Sequence, residues 1–203
     1  MLKVYGSVFS RAGMVMVTLE TLGLDYELIN IGTRSEASQS ADYRKINPTG
    51  KVPTLQDGDF FLFETQAILY YLVRKYGKGR LWAETPEAEA DILRWSLYIS
   101  NQLEVPALDL LLQFKYSGGQ PDQKVLDTAA TQLQRFLPAL EAQLEDKEYL
   151  VGEKTIADIH GAMVLSWPKL AGFDYTPYPN VAQWISRILA SPENKKVAAS
   201  AKP

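Results

Sequence analysis

The stretch from Gly77 to Pro86 divides this chain into two parts with different sequence patterns. It contains the glycine and proline residues that interrupt helices and strands. Before it, short strands alternate with helices, whereas the pattern after it is helical throughout. The 203 residues are enough for one or two domains with sizeable cores. We therefore predict a first domain over residues 1–77, a linker over 78–86 and an all-helical domain over 87–203.

The first part has the pattern of a βαβ unit followed by a hairpin and a helix. Asp57-Gly58 marks the tight hairpin turn, and residues 33–46 are polar and irregular, with about one helical turn expected. A right-handed βαβ unit joined to a ββα unit gives a small mixed sheet with helices packed on it. The predicted fold class is thus an α/β domain followed by an all-α domain. The predicted elements are strands at Leu2–Tyr5, Tyr26–Ile31, Val52–Leu55 and Phe60–Phe63, and helices at Arg11–Leu22 and Glu64–Tyr76.

The second part predicts about four long helices. Pro106 should bend or interrupt the first of them, because proline lacks the backbone N–H that a helix interior needs. Thr155 and Asp158 have the spacing of a capping box at a helix start. The tail from Asn194 to Pro203 is small and basic, and we expect it to be frayed. The predicted helices are Glu87–Tyr116, Gln123–Leu144, Ile156–Trp167 and Val181–Leu189.

Composition excludes several kinds of chemistry. The chain has no cysteine, which removes disulfides, thiolate metal sites and a cysteine nucleophile. His160 is the only histidine, so a zinc site with two or three imidazoles is excluded, and we expect this residue to be a satisfied core histidine. A net charge of −3 makes nucleic acid an unexpected partner. No apolar run is long enough to span a membrane, and residues 1–10 lack the pattern of a signal peptide, so we predict a cytoplasmic protein without a bound metal.

Ser10 and Arg11 follow the first predicted strand at a helix start. A helix amino terminus presents unpaired N–H groups and about half a positive charge, which favours an anion such as a thiolate. A serine at this position is also a common helix cap, and the cap alone explains its presence.

Two further features have both a functional and a structural interpretation. Val52-Pro53 opens a strand, and a cis bond there would turn the Val52 backbone outward as a free edge for an extended peptide, although an edge-strand proline can simply block aggregation. Glu64 and Thr65 begin the next helix, where a hydroxyl and helix N–H groups favour a carboxylate, although acidic and hydroxyl residues are ordinary at helix starts. Together with Ser10, these features describe a site for a small zwitterionic peptide with a thiol.

The chain resembles the cytosolic glutathione transferase superfamily, most closely its serine-type members and the chi-like bacterial and cyanobacterial class. The resemblance covers nearly the whole chain and implies a thioredoxin-like amino-terminal domain, an all-helical carboxyl-terminal domain and usually a homodimer. It rests on the motifs Leu2–Gly6 with Ser10, Leu22–Glu27, Asn47–Leu55, Asp57–Asp59, Phe63–Ile68 and Thr155–Ile159.

The resemblance implies roles for the amino-terminal residues. Ser10 matches the serine that hydrogen-bonds the glutathione sulfur, and Arg11 either assists the thiolate or takes over that role. Val52 matches the residue before the cis-proline Pro53, whose backbone pairs with the cysteinyl unit of glutathione.

The same resemblance implies contacts to the two carboxylate ends of glutathione. Glu64 and Thr65 match the pair that holds the γ-glutamyl end, and Lys51 matches a residue that often reaches the glycyl carboxylate. Ser38 or Gln39 falls where several classes place a histidine for that carboxylate, which this chain lacks.

The implied activity is attack by the glutathione thiolate on small hydrophobic electrophiles, with isothiocyanates and peroxides as further substrates. Glutathione is then a co-substrate, and the electrophile is expected between the two domains. The alternative is a non-catalytic carrier or protein-interaction domain, which would not need to keep Ser10, Val52 and Thr65 together. A glutaredoxin-like reductase is disfavoured because the chain has no cysteine. Candidates for the apolar substrate wall are Val8, Phe9, Tyr98, Leu111, Phe114 and Trp167.

Overall fold

The computed structural model describes residues 1–201 and contains two compact units. The first unit has a four-stranded sheet in the order β2-β1-β3-β4. Strand β1 pairs parallel with β2 and antiparallel with β3, and β4 completes the hairpin with β3. The elements are β1 Leu2–Gly6, α1 Ala12–Leu22, β2 Tyr26–Asn30, α2 Glu36–Gln39, α3 Ala41–Ile46, β3 Thr54–Asp57, β4 Phe60–Phe63 and α4 Thr65–Tyr76.

The polar stretch 33–46 contains more helix than the sequence pattern predicted. Instead of about one turn, it forms the two short helices α2 and α3. Each begins at a serine: the Ser35 hydroxyl accepts from the Ser38 N–H, and the Ser40 hydroxyl accepts from the Tyr43 N–H, both at 3.2 Å. Side-chain caps of this kind satisfy the first free N–H groups and allow very short helices to form.

The second unit consists of helices α5 Pro86–Tyr98, α6 Glu104–Tyr116, α7 Gln123–Gln143, α8 Ile156–Leu170 and α9 Pro179–Leu189. A π-helical segment, Ile99–Leu103, interrupts the first predicted long helix. The interruption therefore precedes Pro106, which lies in the first turn of α6. Because proline has no N–H, the carbonyl four residues before it, that of Gln102, cannot receive a helical bond, and the irregular geometry falls in that turn.

Asp158 fixes the start of α8 and joins it to its neighbours. The predicted capping box with Thr155 is present, with the Thr155 N–H donating to the Asp158 carboxylate at 2.8 Å. The carboxylate is fully buried and also accepts from the Leu150 N–H and the Trp184 Nε1–H, each at 2.9 Å. The Thr155 hydroxyl is a fourth donor, at 3.0 Å, and the four hydrogen bonds compensate the buried carboxylate for its removal from water.

The carboxyl-terminal segment differs from its predicted state. Instead of a frayed tail, residues Pro192–Ala199 form helix α10, which begins at Ser191 and packs against α1. Val197 is buried, and the Lys196 ammonium lies 2.6 Å from the Glu20 carboxylate. The helical unit accordingly ends at Ala190, whereas the predicted domain ran to residue 203, and the last two residues of that tail lie outside the described residues. The unit boundary between Trp82 and Ala83 falls inside the predicted linker.

Asp57 anchors the hairpin to α4. Its carboxylate accepts hydrogen bonds from Tyr71 at 2.8 Å, Lys75 at 2.6 Å and Tyr76 at 2.5 Å. Burial alone would raise the pKa of this carboxyl group, but the hydrogen bonds from Lys75, Tyr76 and Tyr71 outweigh burial and lower the pKa from 3.8 to about 2.

This depressed pKa predicts an acid-dependent loss of stability. A carboxyl group whose pKa is lower in the folded state than in the unfolded state stabilises the fold at pH values above the unfolded-state pKa. That contribution to the free energy of unfolding disappears as the pH falls from about 4 towards 2. Urea unfolding of the native protein and Asp57→Asn should therefore differ at pH 6 and converge near pH 2. A constant difference for Asp57→Asn across this range would contradict the prediction.

Candidate active site

Three strands of the sheet each have one end next to a predicted site residue of the first unit. In the sheet register, Tyr5 lies opposite Thr54, and Thr54 lies opposite Phe63. The end of β1, the start of β3 and the end of β4 therefore share one end of the sheet. Ser10 follows β1, Val52 precedes β3 and Glu64 follows β4, so the fold clusters all three features.

Gly6 shows how closely two of these features approach. Its φ of +151° favours glycine, and a Cβ at this position would lie 2.5 Å from the Ala12 Cβ, 3.3 Å from the Ser10 Oγ and 3.5 Å from the Val52 Cβ. Ser10 and Val52 therefore surround the same point of the backbone. In the sequence, Gly6 belongs to the motif Leu2–Gly6, and a glycine at the end of a strand before a helix start is the local signal of such a close approach.

The Ser10 hydroxyl is held at the start of α1. It donates to the Ser7 carbonyl at 2.7 Å and accepts from the Ala12 N–H at 3.1 Å. Helix α1 begins at Ala12 rather than at the predicted Arg11, which occupies the cap position without a side-chain cap bond. Ser10 therefore does act as a cap, and its one proton points to a neutral carbonyl.

Val52 and Pro53 precede β3, which begins at Thr54 rather than at Val52. The bond between them is cis, as the sequence pattern allowed. Within residues 1–201, neither the N–H nor the C=O of Val52 has a hydrogen-bond partner. Buried backbone groups are normally paired, so a free pair beside Ser10 is available to an extended ligand.

Glu64 and Thr65 form the start of α4 with two unusual features. Glu64 has a φ of +73°, a region that non-glycine residues rarely adopt, and its side chain is exposed. Such backbone strain is concentrated at functional sites. Thr65 is only 6% exposed, yet its hydroxyl oxygen has no partner among the described residues. An unpaired hydroxyl at a helix amino terminus, where N–H groups are free, has the donors that a carboxylate needs.

Ser38 and Gln39 have structural contacts of their own. Ser38 is buried, and its hydroxyl donates to the Ser35 carbonyl at 2.8 Å. The Gln39 amide nitrogen donates to the Gly50 carbonyl at 3.0 Å, which fixes the loop before Lys51. The side chain of Lys51 is exposed, so it is accessible to an anion.

The predicted apolar wall divides between the two units. In the first unit, Phe9 directly precedes Ser10 in the sequence, and its side chain is 78% exposed. In the second unit, Phe114 is 61% exposed and Leu111 is buried. Tyr98 is half-buried; its hydroxyl donates to the Phe136 carbonyl at 2.8 Å and its ring packs edge-on against Trp95. The Tyr98 ring is therefore already engaged in packing within its own unit.

His160 lies in the core of the helical unit, as predicted, but its side chain is not fully satisfied. It is fully buried, and its Nε2 lies 3.1 Å from a carboxylate oxygen of Glu104, although its Nδ1 has no partner within the described chain. Within residues 1–201, no cluster of acidic and histidine side chains suits a metal ion. No described helix is long and apolar enough to cross a membrane.

Known proteins resemble this chain over its full length. The Glutathione S-transferase, N-terminal domain family matches residues 1–74, and the Glutathione S-transferase, C-terminal domain family matches residues 93–192. Glutathione S-transferase 1 from Zea mays is 34% identical over 211 residues and covers 100% of this chain and 98% of its own. The chain belongs to the glutathione S-transferase family. This finding confirms the resemblance and the predicted activity class, a glutathione S-transferase, although the serine-type or chi-like detail stays a prediction.

Solved structures agree with this assignment. A glutathione transferase from Populus trichocarpa superposes with a TM-score of 0.91 at 27% identity and covers 100% of both chains. A glutathione S-transferase-I solved with lactoylglutathione has a TM-score of 0.87 at 34% identity and covers 98% of each chain. A transferase from Phanerochaete chrysosporium solved with oxidized glutathione has a TM-score of 0.85 at 26% identity, covering 98% of this chain and 95% of its own. The predicted fold class is confirmed.

Proposed function

We propose that this chain conjugates the thiolate of bound glutathione to small hydrophobic electrophiles, and that the end of the sheet in the first unit holds the glutathione. The observation that carries the proposal is the grouping of Ser10, the unpaired Val52 backbone and the unpaired Thr65 hydroxyl at one end of the sheet. Each offers a donor or acceptor that the chain itself leaves available or can release, and together they match a peptide with a thiol and a carboxylate.

The γ-glutamyl end of glutathione would lie at the start of α4. Its carboxylate would accept from the Thr65 hydroxyl and from free helix N–H groups, while the exposed Glu64 carboxylate would meet the ammonium group. Because the Thr65 hydroxyl is buried, it must turn towards the ligand, which rotation about a single side-chain bond allows.

The rest of glutathione would run past Val52 towards Lys51. The cysteinyl unit would pair with the N–H and C=O of Val52, before Pro53, as in strand addition. The Lys51 ammonium would reach the glycyl carboxylate. The Gln39 side chain is used to hold the loop before Lys51 through the Gly50 carbonyl, and Ser38 is buried with its hydroxyl bonded to Ser35. We therefore assign neither residue a direct contact with glutathione.

Ser10 would stabilise the thiolate as a hydrogen-bond donor. A free thiol has a pKa of about 8.5, and lowering it by about two units requires about 2.7 kcal/mol. A hydrogen bond to a charged group contributes about 1.5–3 kcal/mol, and the start of α1 adds about 0.3–1 kcal/mol. The Ser10 proton must leave the Ser7 carbonyl to do this, while the Ala12 N–H continues to polarise its oxygen. Arg11 is the alternative source of charge.

The electrophile would pack against apolar side chains that the chain leaves exposed. Phe9, which precedes Ser10 in the sequence and is 78% exposed, is the strongest candidate because large exposed apolar groups often mark binding surfaces. Isothiocyanates and peroxides are additional substrates to test, because both react with thiolates.

Calorimetric titration of glutathione and a panel of aromatic and alkyl electrophiles test the proposed function. We expect saturable binding of glutathione and a conjugation rate above the spontaneous rate for at least one electrophile. Saturable binding without conjugation of any electrophile would instead favour a carrier. No binding of glutathione would exclude the proposal.

The proposal includes a homodimer in the cytoplasm. Reduced glutathione is a cytosolic thiol, which supports the location, and cell fractionation tests it. Large apolar side chains that are exposed on the first unit support a self-association surface, which comprises Phe60 on β4 and Tyr70 on α4.

Light scattering after size exclusion should give twice the 22.7 kDa of one chain. Phe60→Ser should shift the mass towards one chain, since it removes an exposed ring that packs on Tyr71 at 5.1 Å. Tyr116→Ser removes a ring that is more exposed than Phe60, 75% against 46%, and that is not part of the proposed surface, so it should leave the mass unchanged. A native mass of one chain would contradict the dimer.

A further inference from the structure

Three buried polar side chains surround the backbone just before Val52. Tyr43 comes from α3, Asn47 from the loop after it and Thr54 from the first position of β3, and all three are buried. The Tyr43 hydroxyl and the Thr54 hydroxyl are 2.8 Å apart, and the Asn47 amide nitrogen lies 3.0 Å from the Thr54 hydroxyl. Tyr43 and Asn47 also contact the same backbone atom. The Lys51 carbonyl oxygen lies 2.7 Å from the Tyr43 hydroxyl and 2.8 Å from the Asn47 amide nitrogen.

Every proton of this network can be assigned. A carbonyl only accepts, so Tyr43 uses its single proton on the Lys51 carbonyl, and the Thr54 hydroxyl must therefore donate to Tyr43. The two Asn47 amide protons go to the Lys51 carbonyl and to Thr54. The Asn47 oxygen accepts from the Thr49 N–H at 3.1 Å, which fixes the orientation of the amide. A fully satisfied buried network of this kind is rigid.

The network sets the direction of the Val52 N–H. The Lys51 carbonyl and the Val52 N–H belong to one planar trans peptide unit, so they point in opposite directions. Because two donors hold the carbonyl towards the buried side, the Val52 N–H must point away from it. This N–H has no partner within residues 1–201. The network thus orients a donor that the chain does not use itself.

We propose that Tyr43 and Thr54 are positioning residues for glutathione: through the Lys51 carbonyl they aim the Val52 N–H at the ligand. This inference rests on the proposed function. Neither hydroxyl touches the ligand, so their removal should weaken glutathione binding without affecting the electrophile. Preorganising a backbone donor lowers the entropy lost on binding, and loss of that order appears as lower affinity.

Tyr43→Phe is the direct test, because it removes one hydroxyl and keeps the ring. We expect the Kd and the KM for glutathione to rise about five- to tenfold, with kcat at saturating glutathione and the KM for the electrophile within about twofold of the native values. Tyr5→Phe is the matched control: its ring lies 6.1 Å from that of Tyr43, and its hydroxyl donates to Gln56 instead of the network. It should bind glutathione like the native protein.

Thr54 supplies a second, independent test. Thr54→Val should weaken glutathione binding by a similar factor, and Thr54→Ser, which restores the hydroxyl, should recover most of the affinity. A purely structural role would not produce this selective change in the glutathione KM with rescue by serine. If the native protein binds glutathione and both Tyr43→Phe and Thr54→Val bind it equally well, the inference is overturned and the proposed function stands. If the native protein does not bind glutathione, both are overturned.

Discussion

Ser10→Ala should lower kcat/KM for conjugation about ten- to thirtyfold at pH 7 and raise the pKa of the bound thiol by about one to two units. The magnitude follows from the loss of one hydrogen bond to a charged sulfur, about 1.5–3 kcal/mol. A bound thiol with a pKa near 6.5 is mostly thiolate at pH 7, whereas one near 8 is mostly protonated. Stopped-flow rates from pH 5 to 9 measure both quantities, and the rate difference should shrink at high pH.

Ser10 is also a cap of α1, so the variant needs a control for lost capping. Ser40→Ala removes the cap of α3 and should cost a similar amount of stability, about 1 kcal/mol, with no effect on the thiol pKa. If Ser10→Ala leaves rate and thiol pKa unchanged while Arg11→Ala alters them, thiolate stabilisation belongs to Arg11 instead.

Thr65→Val should weaken glutathione binding about ten- to hundredfold while making the free protein more stable. The affinity falls because a carboxylate loses a charge-assisted hydrogen bond of about 1.5–3 kcal/mol. The stability rises by about 1 kcal/mol because valine replaces a buried hydroxyl that has no partner within the described chain. Calorimetric titration and urea unfolding measure the two effects on the same preparation.

The opposite signs distinguish a ligand-binding hydroxyl from a structural one. Thr54→Val is the matched comparison: this hydroxyl is also buried but has two partners, so its removal should lower the unfolding free energy. Equal destabilisation by Thr65→Val and Thr54→Val would show that Thr65 serves the fold, and unchanged glutathione affinity in Thr65→Val would remove it from the site.

The sequence predicted the sheet and the site elements because their signals are local. Asp57-Gly58 specifies a hairpin, and Ser10, Pro53 and Thr65 stand at turns or helix starts with few alternative conformations. The clustering of these residues also follows from topology, since a βαβ unit joined to a hairpin brings those strand ends together.

Features that depend on long-range packing were not predictable in this way. Helix α10 has a serine cap at Ser191, but its composition is polar, and its contacts with α1, through Val197 and the Lys196–Glu20 ion pair, stabilise it. The strained backbone of Glu64 and the unpaired Thr65 hydroxyl are visible only in three dimensions. Tyr43 lies in a stretch predicted to be irregular, so nothing local connected it with Lys51.

The most direct test of the glutathione site is an ultraviolet difference titration of glutathione bound to the native protein, which follows thiolate absorbance against pH. We expect the bound thiol to titrate about two units below the free value of about 8.5. Bound glutathione that titrates at the free value would contradict thiolate activation by Ser10 and the start of α1.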